Sequence, residues 1–253
     1  MTDQVDLSTT YLGLELSGPV IASSGPLTRK VETMLALEAA GVSAVVLPSL
    51  FQEEVEAEEM HAYEREGMGE GFAEFASAPL PPDPDGAVGA ERHIQRVRDA
   101  KAALKIPVIA SLNATSPGSW VHYATRLEQA GADAIELNVY ALNADPDRTA
   151  AMVNEEYLAQ IRGVKEAVSV PLTVKLSSPS SLSNFARDAQ AAGADGLVLF
   201  NYFQGAEIDL DKLELKSQAR LTTSSDLRVP LRWTGILRGQ LPCLLYTSDA
   251  ADE

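Results

Sequence analysis

Cysteine is all but missing from this chain of 253 residues. The single one, Cys243, lies close to the C-terminus, so the body of the sequence offers neither a disulfide framework nor a thiol nucleophile. Histidine is scarce too. His61, His93 and His122 show none of the spacings of a ligating set, and no metal site is expected. No apolar run approaches the ~20 residues that span a bilayer, and no charged-then-apolar signal opens the chain; we expect a cytoplasmic protein. Positive charge is in deficit as well, with 20 Lys and Arg against 36 Asp and Glu for a formal net charge of −16. Such a field repels nucleic acid and anionic membrane surfaces, though it leaves room for a local phosphate site. What is plentiful is apolar: 45% of residues, enough for the core of one large α/β domain or two small ones.

Those apolar residues are arranged in a repeat. The run Gly131-Ala132-Asp133-Ala134-Ile135-Glu136-Leu137-Asn138 follows a helix-like segment, and it has counterparts at Gly41-Val42-Ser43-Ala44-Val45-Val46-Leu47-Pro48-Ser49 and Gly193-Ala194-Asp195-Gly196-Leu197-Val198-Leu199-Phe200-Asn201. Between them lie Pro-led runs, Pro107-Val108-Ile109-Ala110-Ser111-Leu112-Asn113 and Pro171-Leu172-Thr173-Val174-Lys175-Leu176-Ser177. Proline suits the first residue of a strand, where no ladder donor is needed. With Gly18 to Gly25 as the first, six strands are counted by Phe200. Helical stripes separate them: Val31, Met34 and Leu35, with Thr28 as a candidate cap; Glu91 to Leu104; Trp120, Ala124 and Leu127; Leu158, Ile161, Val164 and Val168. Alternating strands and helices imply a parallel sheet, either doubly wound or closed as an eightfold barrel.

Two stretches stand apart. Gln52 to Gly89 is acidic and then proline-rich, read as a solvated helix with a stiff linker or as a lid. Leu221 to Arg238 fits a helix, although Val229-Pro230-Leu231 echoes the Pro-led strand starts. From Pro242 the text shows no α/β pattern and looks like translated adapter sequence. We therefore expect a domain over residues 1–241, truncated after about six βα units, and a non-native tail over 242–253.

The strand ends carry the chemistry. Ser23, Ser24, Gly25, Ser49, Ser111, Asn113, Asn138, Lys175, Ser177 and Asn201 place small or amide side chains where apolar strands finish, the position at which parallel α/β proteins set their sites. A polar ring of this kind can hydrogen-bond a flat heterocycle. In Thr173-Val174-Lys175-Leu176, the alternation turns Val174 and Leu176 to the helices and Lys175 inward. A buried ammonium needs a partner, either Glu136 on the neighbouring strand or a cofactor atom that becomes anionic on reduction.

In the order of these segments and in the placement of Asn138 and Lys175, the chain resembles the class 1 dihydroorotate dehydrogenases, and more closely their dihydroorotate dehydrogenase-like relatives, over roughly Leu12 to Leu241. The resemblance implies a (β/α)8 TIM barrel carrying flavin mononucleotide (FMN) at its top. By position, Ser23, Ser24, Gly25, Ser49, Asn113, Asn138 and Lys175 would bind the flavin, and Asn138, Asn143 and Asn201 the substrate. The implied reaction moves hydride from a dihydropyrimidine-like substrate, dihydroorotate or similar, to flavin in pyrimidine metabolism. The implied assembly is a homodimer.

Two positions depart from the pattern. Family members carry a lysine before the serine that ends the second strand, where this chain has Pro48. They also carry Asn-Leu-Ser-Cys-Pro-Asn with the Cys or Ser as base, where this chain reads Asn138-Val139-Tyr140-Ala141-Leu142-Asn143. Ala141 cannot take a proton, so no intact catalytic residue is expected. The alternative is therefore a flavin- or metabolite-binding barrel without catalysis, or a relative with an altered substrate. The phosphate loops that the family places after its seventh and eighth strands have no counterpart among the six strands counted.

Overall fold

The structure, a computed structural model, describes residues 5–51, 89–113, 119–139, 144–177, 181–201, 206–209, 212–217 and 223–247. A hairpin comes first, β1 (Thr9–Tyr11) with β2 (Leu14–Leu16); its turn, Leu12-Gly13, has both residues at positive φ, which suits the twist of the paired strands. The alternating part follows: β3 (Ile21–Ala22), a 3-10 turn (Pro26–Thr28), α1 (Val31–Ala39), β4 (Ala44–Val46), β5 (Leu50–Phe51), α2 (Gly89–Ala103), β6 (Val108–Asn113), α3 (Ser119–Gln129), β7 (Ala134–Val139), α4 (Ala150–Ala167), β8 (Leu172–Leu176), α5 (Leu182–Ala191) and β9 (Gly196–Leu199). A second hairpin, β10 (Ala206–Asp209) with β11 (Glu214–Ser217), precedes α6 (Arg228–Arg238) and β12 (Leu244–Thr247). Among the described residues no helix is long and apolar enough to cross a membrane.

The main sheet is parallel and runs β3, β4, β6, β7, β8, β9, β12, with β5 pairing the far end of β6. Among these strands, sheet neighbours follow chain order without a reversal. A doubly wound sheet reverses at a switch point, so the order decides between the two architectures: this is the curled wall of a (β/α)8-type barrel, its helices on one outer side.

Side-chain alternation divides the core accordingly. Outward-facing Leu112, Ile135, Leu137, Leu172, Val174 and Leu176 are buried in one cluster with Ile94, Leu127, Ile161 and Phe185 of the helices. Inward-facing Ile21, Ala44, Val46, Ile109 and Ala134 pack instead with Tyr11, Leu12 and Leu16. The hairpin β1–β2 thus covers the lower inner face, each fully buried Leu or Ile contributing about 1.5–3 kcal/mol.

The sequence repeat proves to be a latch at the base of the strands. Gly41, Gly131 and Gly193 take φ of 95°, 104° and 112°, the left-handed conformation that lets a helix end and a strand begin at once. Asp133 then accepts the Val108 N–H at 2.7 Å and Lys101 Nζ at 2.7 Å, and Asp195 accepts the Leu172 N–H at 2.8 Å and Lys165 Nζ at 2.6 Å. Each carboxylate ties its strand to the strand before it and to a lysine of the helix before that. Two glutamates hold the intervening loops. Glu38 accepts the N–H groups of Lys105 and Ile106, and Glu128 those of Ser169 and Val170. The Ser169 hydroxyl, aided by those N–H groups, holds the Glu128 carboxyl below its ordinary range.

Three expectations change. Thr28 does not cap α1: its hydroxyl bonds Gly25 N and O, and the helix starts after Lys30 with no side-chain cap. The stretch ending at Arg238 is helical from Arg228, with Pro230 in the first turn, where its missing N–H costs little. The tail does take up α/β structure. Leu244–Thr247 pairs parallel with β9, and the Tyr246 ring lies 5.3 Å from that of Tyr11. An edge strand offers unpaired backbone groups, and an extended Leu-Leu-Tyr-Thr segment can satisfy them. The edge of the sixth strand is therefore covered. The acidic residues 52–88 and the tail beyond Thr247 lie outside the described residues.

Candidate functional site

The upper inner face is built in rows by the register of the parallel strands. Asn113 stands opposite Asn138, Asn138 opposite Lys175, and Lys175 opposite Val198; one layer below, Ser111, Glu136, Thr173 and Gly196 line up in the same way. The alternation expected for β7 and β8 is what the structure shows. All the polar side chains of these rows are buried, Lys175 at 1% exposure being the largest fully buried side chain described.

Two hydroxyls orient the central amide. Ser49, at the exit of β4, and Ser111, on β6, share a hydrogen bond of 2.8 Å, and Asn138 Nδ2 donates to both hydroxyl oxygens at 2.9 and 3.3 Å. With its NH2 group so occupied, Asn138 turns its carbonyl oxygen the other way. That Oδ1 is buried without a hydrogen-bond partner among the described residues, and so are Asn113 Oδ1 and Asn201 Oδ1. Asn201 follows β9 and is anchored by its own N–H to the Leu176 carbonyl at 2.7 Å. Leaving one such acceptor bare costs about 1–3 kcal/mol. Three at one end of one sheet describe a surface shaped for N–H donors.

Charge is arranged beneath them. Glu136 lies one layer below Lys175 on the inner face, and both are buried; an isolated buried ion costs several kcal/mol, which favours opposite charges in neighbouring layers. From below, the Tyr11 hydroxyl donates to Thr173 Oγ1 at 3.3 Å, and burial, with the Glu136 carboxylate adding to it, pushes the phenol well above its ordinary value.

The exit of β4 is braced from behind. On α2, His93 accepts from Arg96 at Nδ1, 3.3 Å, and donates to the Pro48 carbonyl. Burial and the guanidinium groups of Arg96 and Arg92 push its pKa down to about 3, so the ring is neutral. Pro48, His93, Arg96, Val97, Ala110 and Ser111 line a narrow crevice beside the exit of β4.

Of the residues expected at the site, Ser49, Asn113, Asn138 and Lys175 come together in this way, and Asn201 stands at the same end of the sheet. Ser23, Ser24 and Gly25 follow β3, Ser24 buried and Gly25 held by Thr28. Asn143 and Ala141 lie outside the described residues. Tyr11 and His93 were missed: neither has a spacing that marks it, and each reaches the site only through tertiary contacts. Among the described residues no group of three or more His, Cys, Asp or Glu could hold a metal.

The family model described as "Dihydroorotate dehydrogenase" matches residues 6–223. The chain belongs to the dihydroorotate dehydrogenase family. Curated members of that family with which it aligns include the catalytic subunit of dihydroorotate dehydrogenase B (NAD(+)) of Thermoplasma acidophilum, 31% identical over 215 residues, covering 81% of this chain and 65% of the relative. The subunit of the same name from Thermoplasma volcanium gives the same 31% over 215 residues and the same coverages. That of Endomicrobium trichonymphae is 29% identical over 210 residues, covering 81% of this chain and 64% of the relative. The chain thus spans slightly less than two thirds of the length of these dihydroorotate dehydrogenase subunits. On the family's fold, the bare amide oxygens and the buried ammonium at the strand ends fit a flat ring that offers N–H donors.

Proposed function

We propose that this protein is an FMN-dependent oxidoreductase of the dihydroorotate dehydrogenase type, a cytoplasmic enzyme of pyrimidine metabolism acting on a dihydropyrimidine-like small molecule and working as a homodimer. One observation carries the reading: three buried amide oxygens without partners among the described residues, on the same sheet end as a buried lysine, where parallel strands finish. Ser23, Ser24, Gly25, Ser49, Asn113, Asn138 and Lys175 would hold the flavin, and Asn138, Asn143 and Asn201 would orient the substrate. When bound, FMN would supply a hydride acceptor. The chain's own contribution is preorganisation. Ser49 and Ser111 hold the Asn138 amide in one orientation before any ligand arrives, and Lys175 sets a positive charge on the inner face, where a ring that gains electrons would be stabilised.

Ala141 favours a second reading within the same family. A general base contributes about 10²- to 10⁴-fold, and alanine supplies none, so dihydroorotate itself would turn over slowly. An altered substrate, or binding without catalysis, follows from that substitution. The visible spectrum of the purified protein separates the possibilities. Yellow protein bleached anaerobically by a dihydropyrimidine supports the enzyme, and yellow protein inert to all of them supports the binder. Colourless protein that releases no flavin on denaturation overturns both.

A further inference from the structure

Ser111 belongs to none of the groups assigned above to flavin or substrate, yet it is buried at 2% exposure on β6, in the row beneath Asn113 and Asn138. Its hydroxyl lies 2.8 Å from that of Ser49 and 3.3 Å from Asn138 Nδ2, and Ser49 Oγ is 2.9 Å from the same nitrogen. The hydrogens available in this triangle fix the amide. The amide nitrogen carries two, and two hydroxyl oxygens are there to accept them. The hydroxyls carry two of their own, of which the contact between them uses one. Were the amide turned over, Oδ1 would find at most one hydroxyl hydrogen, and both N–H groups would point to where Oδ1 now stands buried with no partner among the described residues. One bare acceptor would be exchanged for two bare donors, which is the less stable arrangement.

With alanine at position 111 that bias is gone. Ser49 alone can accept from the amide or donate to it, so either orientation keeps one hydrogen bond. We propose that Ser111 is a positioning residue that sets the polarity of recognition. By taking the second amide hydrogen it makes Asn138 a fixed acceptor, which selects a ring N–H over a ring carbonyl at that point. The positioning rests on the amide geometry alone; its effect on a ligand rests on the flavin reading above.

The side-chain amide of Asn138 reports the positioning without any ligand. In isotope-labelled protein its NH2 signal, identified by its loss in Asn138→Leu, is expected to exchange hydrogen at least about tenfold faster in Ser111→Ala, while the β7 backbone amides keep their protection. Ser111→Thr, which restores a hydroxyl, exchanges as slowly as the unmodified protein. Unchanged exchange in Ser111→Ala, or β7 backbone protection that falls in parallel, overturns the inference. Ser111→Cys, whose sulfur accepts only weakly, gives the same test should the alanine variant not fold. Titration with FMN, followed by quenching of flavin fluorescence, reads the effect on binding. Ser111→Ala is expected to weaken FMN about tenfold in the unmodified background and to change nothing further in Asn138→Leu. Losses that add overturn the claim that Ser111 acts through Asn138. No quenching by the unmodified protein overturns the flavin reading, and amide exchange then decides the role of Ser111 alone.

Discussion

At the base of β7, Asp133 accepts from the backbone of the neighbouring strand and from Lys101, and almost nothing polar is left over. At the top of the same strand, Asn138 has both amide hydrogens engaged and its oxygen bare. The two ends are cut from the same alternation of side chains, and both are buried or half-buried. They differ in what completes them. The base is finished by the chain itself, whereas the top keeps acceptors that have no partner among the described residues. In a barrel of this kind, stability and recognition are therefore separable along a single strand.

Substitutions at the two ends should break that symmetry in opposite ways. Asp133→Ala orphans the Val108 N–H and the Lys101 ammonium, and is expected to lower unfolding free energy by about 3 kcal/mol, read from urea denaturation, with FMN affinity unchanged. If affinity fell in parallel, the ends would not be independent. Asn138→Leu should do the reverse. Removing a buried acceptor that has no partner leaves stability within about 1 kcal/mol, while FMN affinity falls about thirtyfold, near 2 kcal/mol; fluorescence titration and denaturation of one sample give both numbers. The smallest effect concerns His93, which serves the upper end from behind. Its imidazole is neutral when folded, down to about pH 3, and takes up a proton on unfolding below its ordinary ~6.5. The stability it secures is complete above ~6.5 and declines as pH drops from there toward 3. His93→Gln, which keeps a donor for Pro48 and an acceptor for Arg96, should flatten that acid slope in denaturation midpoints compared at pH 7 and 4.5.

How much of this could be read from the sequence follows the range of each signal. Ile135, Leu137, Val174 and Leu176 declare the outer face by strict alternation, and the same alternation turns Glu136, Asn138 and Lys175 inward. Periodicity alone leaves doubly wound sheet and barrel open, because the choice depends on strand order; the resemblance to the dihydroorotate dehydrogenases implies the (β/α)8 barrel, and the strand order bears it out. The Ala-Gly-Ala-Asp recurrence announced a repeated unit, but its purpose needed the register that brings Asp133 to Val108 and Asp195 to Leu172. The β1–β2 hairpin escaped notice because each strand has only three residues and its turn puts Leu12 at φ 53°, a conformation that leucine rarely adopts. Ser111 read as one more small polar residue. Its role with Ser49 in fixing the Asn138 amide arises only where three strands meet.

The carboxylate clasps at the foot of the wall refer only to their immediate neighbours, Asp133 to β6 and α2, Asp195 to β8 and α4. A structure fastened in that way is modular. Its strand–helix bricks could be duplicated, swapped or spliced at the Ala-Gly joints without redesigning the foundation, which leaves the rim free to diverge in chemistry while the masonry underneath stays the same.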